Sequence, residues 1–325
     1  MNVKKIKAFG ERIIQGGSIT EGEALHLFSI EQNDELNSLI DTAHEVFLKK
    51  CSKRADLCSL INAKSGRCRE DCSFCAQSGH YNVEVAEYPL LDVKKIVYQA
   101  IEAQAIGAHR FCIVTSGGRL SVEDFEKVLT AFKEIKKKTN LSLDGSLGVV
   151  GDSEIQKLKE IGVVRYNHNL ETSEAFFPRI CTTHTFRDRY ETVSRLKRHG
   201  LEVCCGGVIG LGEGWEDRVS LAFSLKKLGV DCVPINILNP RPGTPLAGHE
   251  KLSVEEIIKT ISIFRLILPT VVIKIAGGRE VNLGDAQGLA LRAGANGIIV
   301  GGYLTTAGNP VEKDLELIKA AGLEV

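Results

Sequence analysis

The sequence predicts an α/β protein, a (β/α)8 barrel of the TIM type with an N-terminal helical extension. Three observations predict it. Eight short apolar runs alternate with amphipathic stretches from residue 51 onward. No Pro/Ser-rich linker or shift of composition interrupts them. A cysteine-rich loop follows the first run, where a parallel barrel keeps its chemistry. A doubly wound sheet shares the alternation, and strand count alone does not separate the two.

Residues 1–50 read as the helical extension. Thr20-x-x-Glu23 is a capping box ahead of Ala24, Leu25, Leu27, Phe28 and Ile30. A second amphipathic stretch runs through Leu36, Leu39, Ile40, Ala43 and Phe47. The eight strands then fall at 57–63, 110–116, 141–147, 163–169, 201–207, 231–238, 271–276 and 297–302. Helical stretches lie between them at 92–106, 122–138, 153–161, 187–199, 216–228 and 254–268. Residues 51–325 are read as one barrel domain, since the alternation has no internal break.

Composition narrows the function. Lys+Arg and Asp+Glu balance at 41 each, which gives no electrostatic footprint for nucleic acid or a membrane surface. No stretch approaches the roughly 20 apolar residues of a membrane span, and Met1-Asn2-Val3-Lys4-Lys5-Ile6-Lys7 leads into no apolar run. The expectation is a cytoplasmic protein with no membrane or nucleic-acid partner. Ten cysteines in such a chain argue for metal–sulfur chemistry over disulfides, because the cytosol keeps thiols reduced.

Cys68, Cys72 and Cys75 form a C-x3-C-x2-C array. It puts three thiolates on one short loop, enough to hold three irons of a 4Fe–4S cube and leave the fourth iron open. A structural zinc site wants a fourth protein ligand, and cysteine knuckles come in pairs, whereas this array is single. The spacing, with Phe74 just before the third cysteine, resembles that of the radical S-adenosylmethionine (SAM) enzymes. In these, SAM chelates the open iron through its amino and carboxylate groups.

Strand parity sharpens the list, because alternate residues share a face. Asn167 and Asn169 share one at the end of the fourth strand, and Asn236 shares one with Cys232. Polar side chains facing a barrel lumen need partners: a bound ligand, one another or loop backbone. His168 has the opposite parity and is expected to pack outward. The glycine-rich segment 206–214 has neither the G-x-G-x-x-G spacing nor a Gly-Lys-Ser/Thr, so a phosphate cradle is not expected. An adenosine without phosphate and a simple tight turn remain as readings.

Further segments carry a closer resemblance: Arg110-Phe111-Cys112, Tyr166-Asn167-His168-Asn169-Leu170, Thr182-Thr183, Gly206 to Glu213, Val233-Pro234-Ile235-Asn236 and Ala276-Gly277-Gly278-Arg279-Glu280. With the cysteine array they resemble the biotin synthases, from about Ser59 to near Thr305. The resemblance implies a homodimer of SAM-radical barrels that inserts sulfur between two unactivated carbons of dethiobiotin. It also implies an electron donor such as flavodoxin or ferredoxin, and an auxiliary iron–sulfur cluster deep in the barrel as the sulfur source. No residue is assigned as an acid–base catalyst. By resemblance Asn169 and Asn236 hold the ureido ring of dethiobiotin, with Asn167 beside them. Glu171 matches a ribose ligand, Arg189 a partner of the SAM carboxylate, Phe74 an aromatic beside adenine, and Arg110 a basic residue near the cube and SAM.

The chain also departs from the family pattern. A two-iron auxiliary cluster is usually held by three cysteines and an arginine; Cys112 and Cys204 occupy two of those positions, but Asp144 stands at the third and Lys274 replaces the arginine. Cys58 and Cys232 stand where the family carries serine. Four lumen thiolates, Cys58, Cys112, Cys204 and Cys232, suit a four-iron cluster, with an additional sulfide as a candidate for the transferred atom. Cys205 should face away from the lumen, Cys181 lies on a loop near SAM, and Cys51 is structural or exposed. A related maturase or methylase is the alternative among enzymes. A non-catalytic iron–sulfur or zinc carrier is the alternative outside them, and it would not need the asparagines or the glycine-rich turn.

Overall fold

The computed structural model describes residues 2–325. Runs rich in Val and Ile, buried on both faces, form parallel strands: β1 (Asp56–Lys64), β2 (Arg110–Thr115), β3 (Ser142–Ser146), β4 (Val163–Asn167), β5 (Glu202–Cys204), β6 (Gly207–Ile209), β7 (Cys232–Ile237), β8 (Val272–Ile275) and β9 (Gly297–Ile299). Hydrogen bonding runs β5-β4-β3-β2-β1-β9-β8-β7-β6, and β5 also pairs with β7 through Cys204 and Cys232. That last pairing closes the sheet. β5 and β6 are halves of one stave, so the barrel has eight staves, as the alternation predicted.

The break within that stave has a local cause. Pro234, in the middle of β7, has no N–H to give its neighbour. Opposite it, a Cβ on Gly206 would lie 2.0 Å from the Pro234 carbonyl oxygen, and one on Gly207 2.2 Å from the Glu171 carbonyl oxygen. Only glycines allow this approach. The expected strand 201–207 is therefore interrupted and resumes to Ile209, so that 208–209, expected in the turn, belong to the strand. The expected strand 297–302 ends at Ile299.

Helices Val93–Ala105, Val122–Lys138, Asp152–Ile161, Phe186–Arg198, Trp215–Leu228 and Val254–Ile267 connect the staves. Ser121, Thr185 and Ser253 cap three of them by accepting N–H bonds in the first turn.

The N-terminal extension consists of helices Val3–Ile14, Glu21–Phe28 and Asn33–Lys50, and Thr20 and Glu23 form the expected capping box. It packs against helix Val254–Ile267. The Lys259 ammonium bonds the carbonyls of Phe28 and Ile30, and Phe28 stacks on Trp215 at 6.0 Å. Covered from two sides, every residue of 257–267 is buried, so that helix has no solvated face. Among the described residues, no helix is long and apolar enough to cross a membrane.

Candidate active site

The three-cysteine loop begins just beyond the C-terminal end of β1. Gln77 organises its base: Oε1 accepts from Asn62 Nδ2 (3.3 Å), Ser65 Oγ (3.0 Å) and the Gly66 amide (3.3 Å). The backbone closes it through Cys68 N to Gln77 O (3.0 Å) and Gly79 N to Cys68 O (2.7 Å). On the far side, Asp71 accepts from the amides of Thr182 (2.9 Å) and Thr183 (3.2 Å) and from the Thr182 hydroxyl (2.5 Å). Glu70 accepts from the Thr183 hydroxyl (2.5 Å) and His184 Nδ1 (2.7 Å). The loop is thus held before any metal binds it. Burial pushes the Cys75 thiol up to about 11, so metal binding there must expel protons.

Beside this loop stand Glu171 and Arg189. Glu171 has a positive φ of 72° and its carboxylate is buried, which raises its pKa despite Arg189. Its Oε1 lies 3.5 Å from Arg189 Nη1, while Oε2 meets no partner. Arg189 also donates to the Asn169 carbonyl (3.0 Å) and to His184 Nε2 (2.8 Å). An unpartnered, buried carboxylate oxygen is costly without a donor, and the hydroxyls of a ribose would satisfy it. Phe74 is half-buried at the edge of the core next to Cys75.

The asparagines differ in what they have left to offer. Asn236 bonds backbone at both ends, Nδ2 to Gly207 O (3.2 Å) and Oδ1 from Gly277 N (3.0 Å). Asn169 Oδ1 accepts from Gly206 N (3.1 Å). Asn167 donates to Cys112 Sγ (3.3 Å), and its buried Oδ1 has no partner. Asn167 is therefore the most open of the three.

Deeper in the lumen the four expected cysteines come together. Cys204 and Cys232 bring their Sγ atoms to 3.3 Å. Cys58 and Cys112 are buried on the neighbouring staves β1 and β2, and each of the four thiols lies within electrostatic reach of Lys274. Burial pushes Cys58 up to about 12. Cys205, by contrast, belongs to the apolar core. Beneath them is an ionic floor: Asp56 pairs with Lys274 (2.7 Å) and Arg165 (2.9 Å), and Arg165 with Glu202 (3.0 Å). Asp56 and the cysteines raise the Lys274 pKa well above the usual range against burial, so its ammonium stays charged. The donor set of four thiols beside a fixed cation fits an anionic iron–sulfur cluster.

One expectation needs correction, and one open reading narrows. Arg110 does not adjoin the Cys68 to Cys75 loop. It opens β2 opposite Cys58, six residues below Lys64 or about 20 Å of strand. There it grips Asp144 with Nε (3.1 Å) and Nη2 (2.8 Å). The pair belongs to the lumen floor and neutralises the carboxylate that replaces a cysteine. The glycine-rich turn, for its part, spends its amides internally: Glu213 accepts from Gly210 N (2.9 Å), Leu211 N (2.6 Å) and Arg218 Nε (2.6 Å). Those two amides are therefore closed to a ligand, which supports the tight-turn reading.

Sequence reasoning assigned no role to Gln77, Asp71, Glu213 or the Thr182-Thr183 pair. The pair stood out as a motif, but its partner Asp71 lies more than a hundred residues away. Ala276 to Glu280 also turns out to be architectural. Arg279 is buried against Asp314 (2.7 Å), Tyr303 (2.8 Å) and Gln287, and ties the C-terminal segment to the barrel.

A closed parallel barrel with three cysteines beyond its first stave defines a radical SAM enzyme, and residues 63–225 match the radical SAM superfamily model. Residues 234–324 match the biotin and thiamin synthesis associated domain. The chain belongs to the biotin synthase family and is a radical SAM sulfurtransferase. It is 51% identical to the biotin synthase of Pelotomaculum thermopropionicum over 99% of this chain and 98% of that one. It is 46% identical to that of Carboxydothermus hydrogenoformans over 99% of both. The fold is also that of methylornithine synthase, with a TM-score of 0.85 at 22% identity over 97% of this chain and 96% of that one. An FeFe-hydrogenase maturase from Carboxydothermus hydrogenoformans shares it, with a TM-score of 0.82 at 16% identity over 98% of this chain and 79% of that one. The cofactors of the family are a 4Fe–4S cluster, SAM and an auxiliary iron–sulfur cluster.

Proposed function

We propose that this chain makes biotin from dethiobiotin by radical sulfur insertion, using a four-iron auxiliary cluster held by Cys58, Cys112, Cys204 and Cys232. Saturated C–H bonds offer no acidic proton and no leaving group, so acid–base and nucleophilic routes have nothing to act on. The cube, when bound, supplies one electron to the SAM sulfonium, and the resulting carbon radical takes hydrogen from the substrate. Everything else is positioning by the chain.

Cys68, Cys72 and Cys75 hold the cube on the loop that Gln77 and Asp71 fix. Glu171 binds the ribose, Arg189 the SAM carboxylate, and Phe74 flanks adenine. Asn167, Asn169 and Asn236 present amides to the ureido group, whose carbonyl and N–H groups match them. Below, Lys274 balances cluster charge as a point cation without ligating it. The closed barrel keeps water from the radical. A homodimer in the cytosol, receiving electrons from flavodoxin or ferredoxin, completes the proposal.

The observation that carries this reading is the convergence of four thiols on one lysine, below three asparagines. The test is anaerobic turnover of the reconstituted chain with dethiobiotin, SAM and a reductant, read as biotin and 5′-deoxyadenosine. SAM cleavage without biotin would transfer the barrel to another small substrate. No cleavage at all would leave only an iron–sulfur carrier.

A further inference from the structure

We infer that Cys72, Cys181 and His184 form a binding site for a single divalent cation of the zinc class in chains that have not yet received their cube. Cys181 Sγ lies 3.8 Å from Cys72 Sγ, 3.8 Å from His184 Nε2 and 3.2 Å from His184 Nδ1, and since Nδ1 is bonded to Glu70 it is Nε2 that is left for a metal. A tetrahedral zinc with bonds of about 2.3 Å to sulfur and 2.0–2.1 Å to nitrogen sets its ligands about 3.5–3.8 Å apart. Among the described residues, no other trio of cysteine, histidine or carboxylate ligands gathers so tightly.

The surroundings prepare the imidazole. Arg189 Nε can only donate, so His184 Nε2 accepts (2.8 Å) and Nδ1 carries the proton, which it donates to Glu70 (2.7 Å). A carboxylate on the far nitrogen of a histidine is the usual support of a metal ligand. The cation takes the Nε2 lone pair from Arg189. Asp71 Oδ1 accepts from Cys181 Sγ at 3.1 Å, and water takes the fourth position. Binding expels the protons of Cys72 and Cys181, so the dication, two thiolates and neutral imidazole sum to zero charge.

Cys68 and Cys75 take no part, whereas Cys72 is shared. If Cys72 holds the cube, as proposed above, cation and cube exclude one another. The cation site itself does not depend on that role. Its occupation also detaches Arg189 from His184.

The test is anaerobic titration of the full-length, cluster-free chain with Co2+. We expect one equivalent to give a thiolate-to-cobalt charge-transfer band with the intense d–d bands of four-coordination, and one equivalent of Zn2+ to abolish them. C181S, C181A and H184Q should lose the bands while keeping the wild-type far-ultraviolet circular dichroism; C68S and C75S should keep them. Bands that survive both Cys181 substitutions, or that need Cys68 and Cys75, would overturn the site. Zinc should also slow cube assembly in the wild type and not in C181S; equal slowing in both would overturn the competition while leaving the proposed reaction untouched.

Discussion

Cys204 and Cys232 face each other across the closing seam of the barrel, paired in the strand register and with Sγ atoms 3.3 Å apart. The Cys204 thiol donates to Cys232, so Cys204 keeps its proton and Cys232 is the first to ionise. Two thiols on the strand contact that closes the sheet therefore sit where Lys274 can stabilise a thiolate. A cluster bound there bridges the seam.

Replacing Cys58 or Cys232 by serine should abolish biotin formation and leave reductive SAM cleavage intact. Iron should fall from about eight per chain toward about four, the content of one cube. A wild-type content near six irons, or biotin from both variants, contradicts four-iron ligation.

Cys68→Ala, Cys72→Ala and Cys75→Ala should each abolish 5′-deoxyadenosine formation, since each removes a ligand of the one cluster with an open iron. Chromatographic assay of the nucleoside checks this. Unimpaired cleavage in any of the three would contradict the assignment.

Asn169→Ala or Asn236→Ala should weaken dethiobiotin binding by about 0.5–1.5 kcal/mol and SAM binding less. Asn236→Ala should also lower stability by about 1–3 kcal/mol, because it leaves Gly277 N and Gly207 O without their amide partners. Asn167→Ala should affect substrate more than stability, its Oδ1 having no protein partner. Calorimetric binding and urea unfolding on the same samples separate these effects. Equal losses for both ligands would argue against the ureido role.

Burial raises the Asp56 pKa, but Lys274 and Arg165 outweigh it and hold the carboxyl far below the usual carboxylate range. Its stabilisation is complete above the unfolded value of about 3.9 and drains away as pH falls from there toward the depressed folded value. Asp56→Asn should remove that part of the acid dependence. At pH 7 it should cost about 3–5 kcal/mol, since two buried cations lose their partner. Urea unfolding of both proteins from pH 7 to pH 3 measures it, and parallel stability curves would refute the floor's role.

The cubane loop was legible in the sequence because its three ligands lie within eight residues, and local spacing is all that such a motif needs. The four lumen cysteines were singled out by their resemblance to family positions, and strand parity separated Cys204 from Cys205, which the structure buries in the apolar core. Arg110 was misplaced because a match of motif says nothing of height in the barrel: a residue that opens a strand and one that follows its end lie at opposite rims. The glycine-rich turn stayed open between two readings because the sequence does not show that Glu213, inside the same segment, takes up the amides of Gly210 and Leu211.

The sequence by itself determined the eightfold β/α alternation, the helical extension and the three-thiol loop, because hydrophobic period and ligand spacing are local properties of a chain; closure into a barrel was decided by the β5–β7 pairing. Only the tertiary structure decided which polar groups remain open. Hydrogen-bond satisfaction is settled by residues distant in sequence. Asp71 meets Thr182 and Thr183 from another stave, Asn236 spends one bond at each end on Gly207 and Gly277 and keeps one N–H and one lone pair, and Glu171 Oε2 and Asn167 Oδ1 are left without partners. The placement of Cys181 and His184 beside Cys72 is of the same kind. It depends on how two loops meet above the barrel, and no spacing along the chain encodes that meeting.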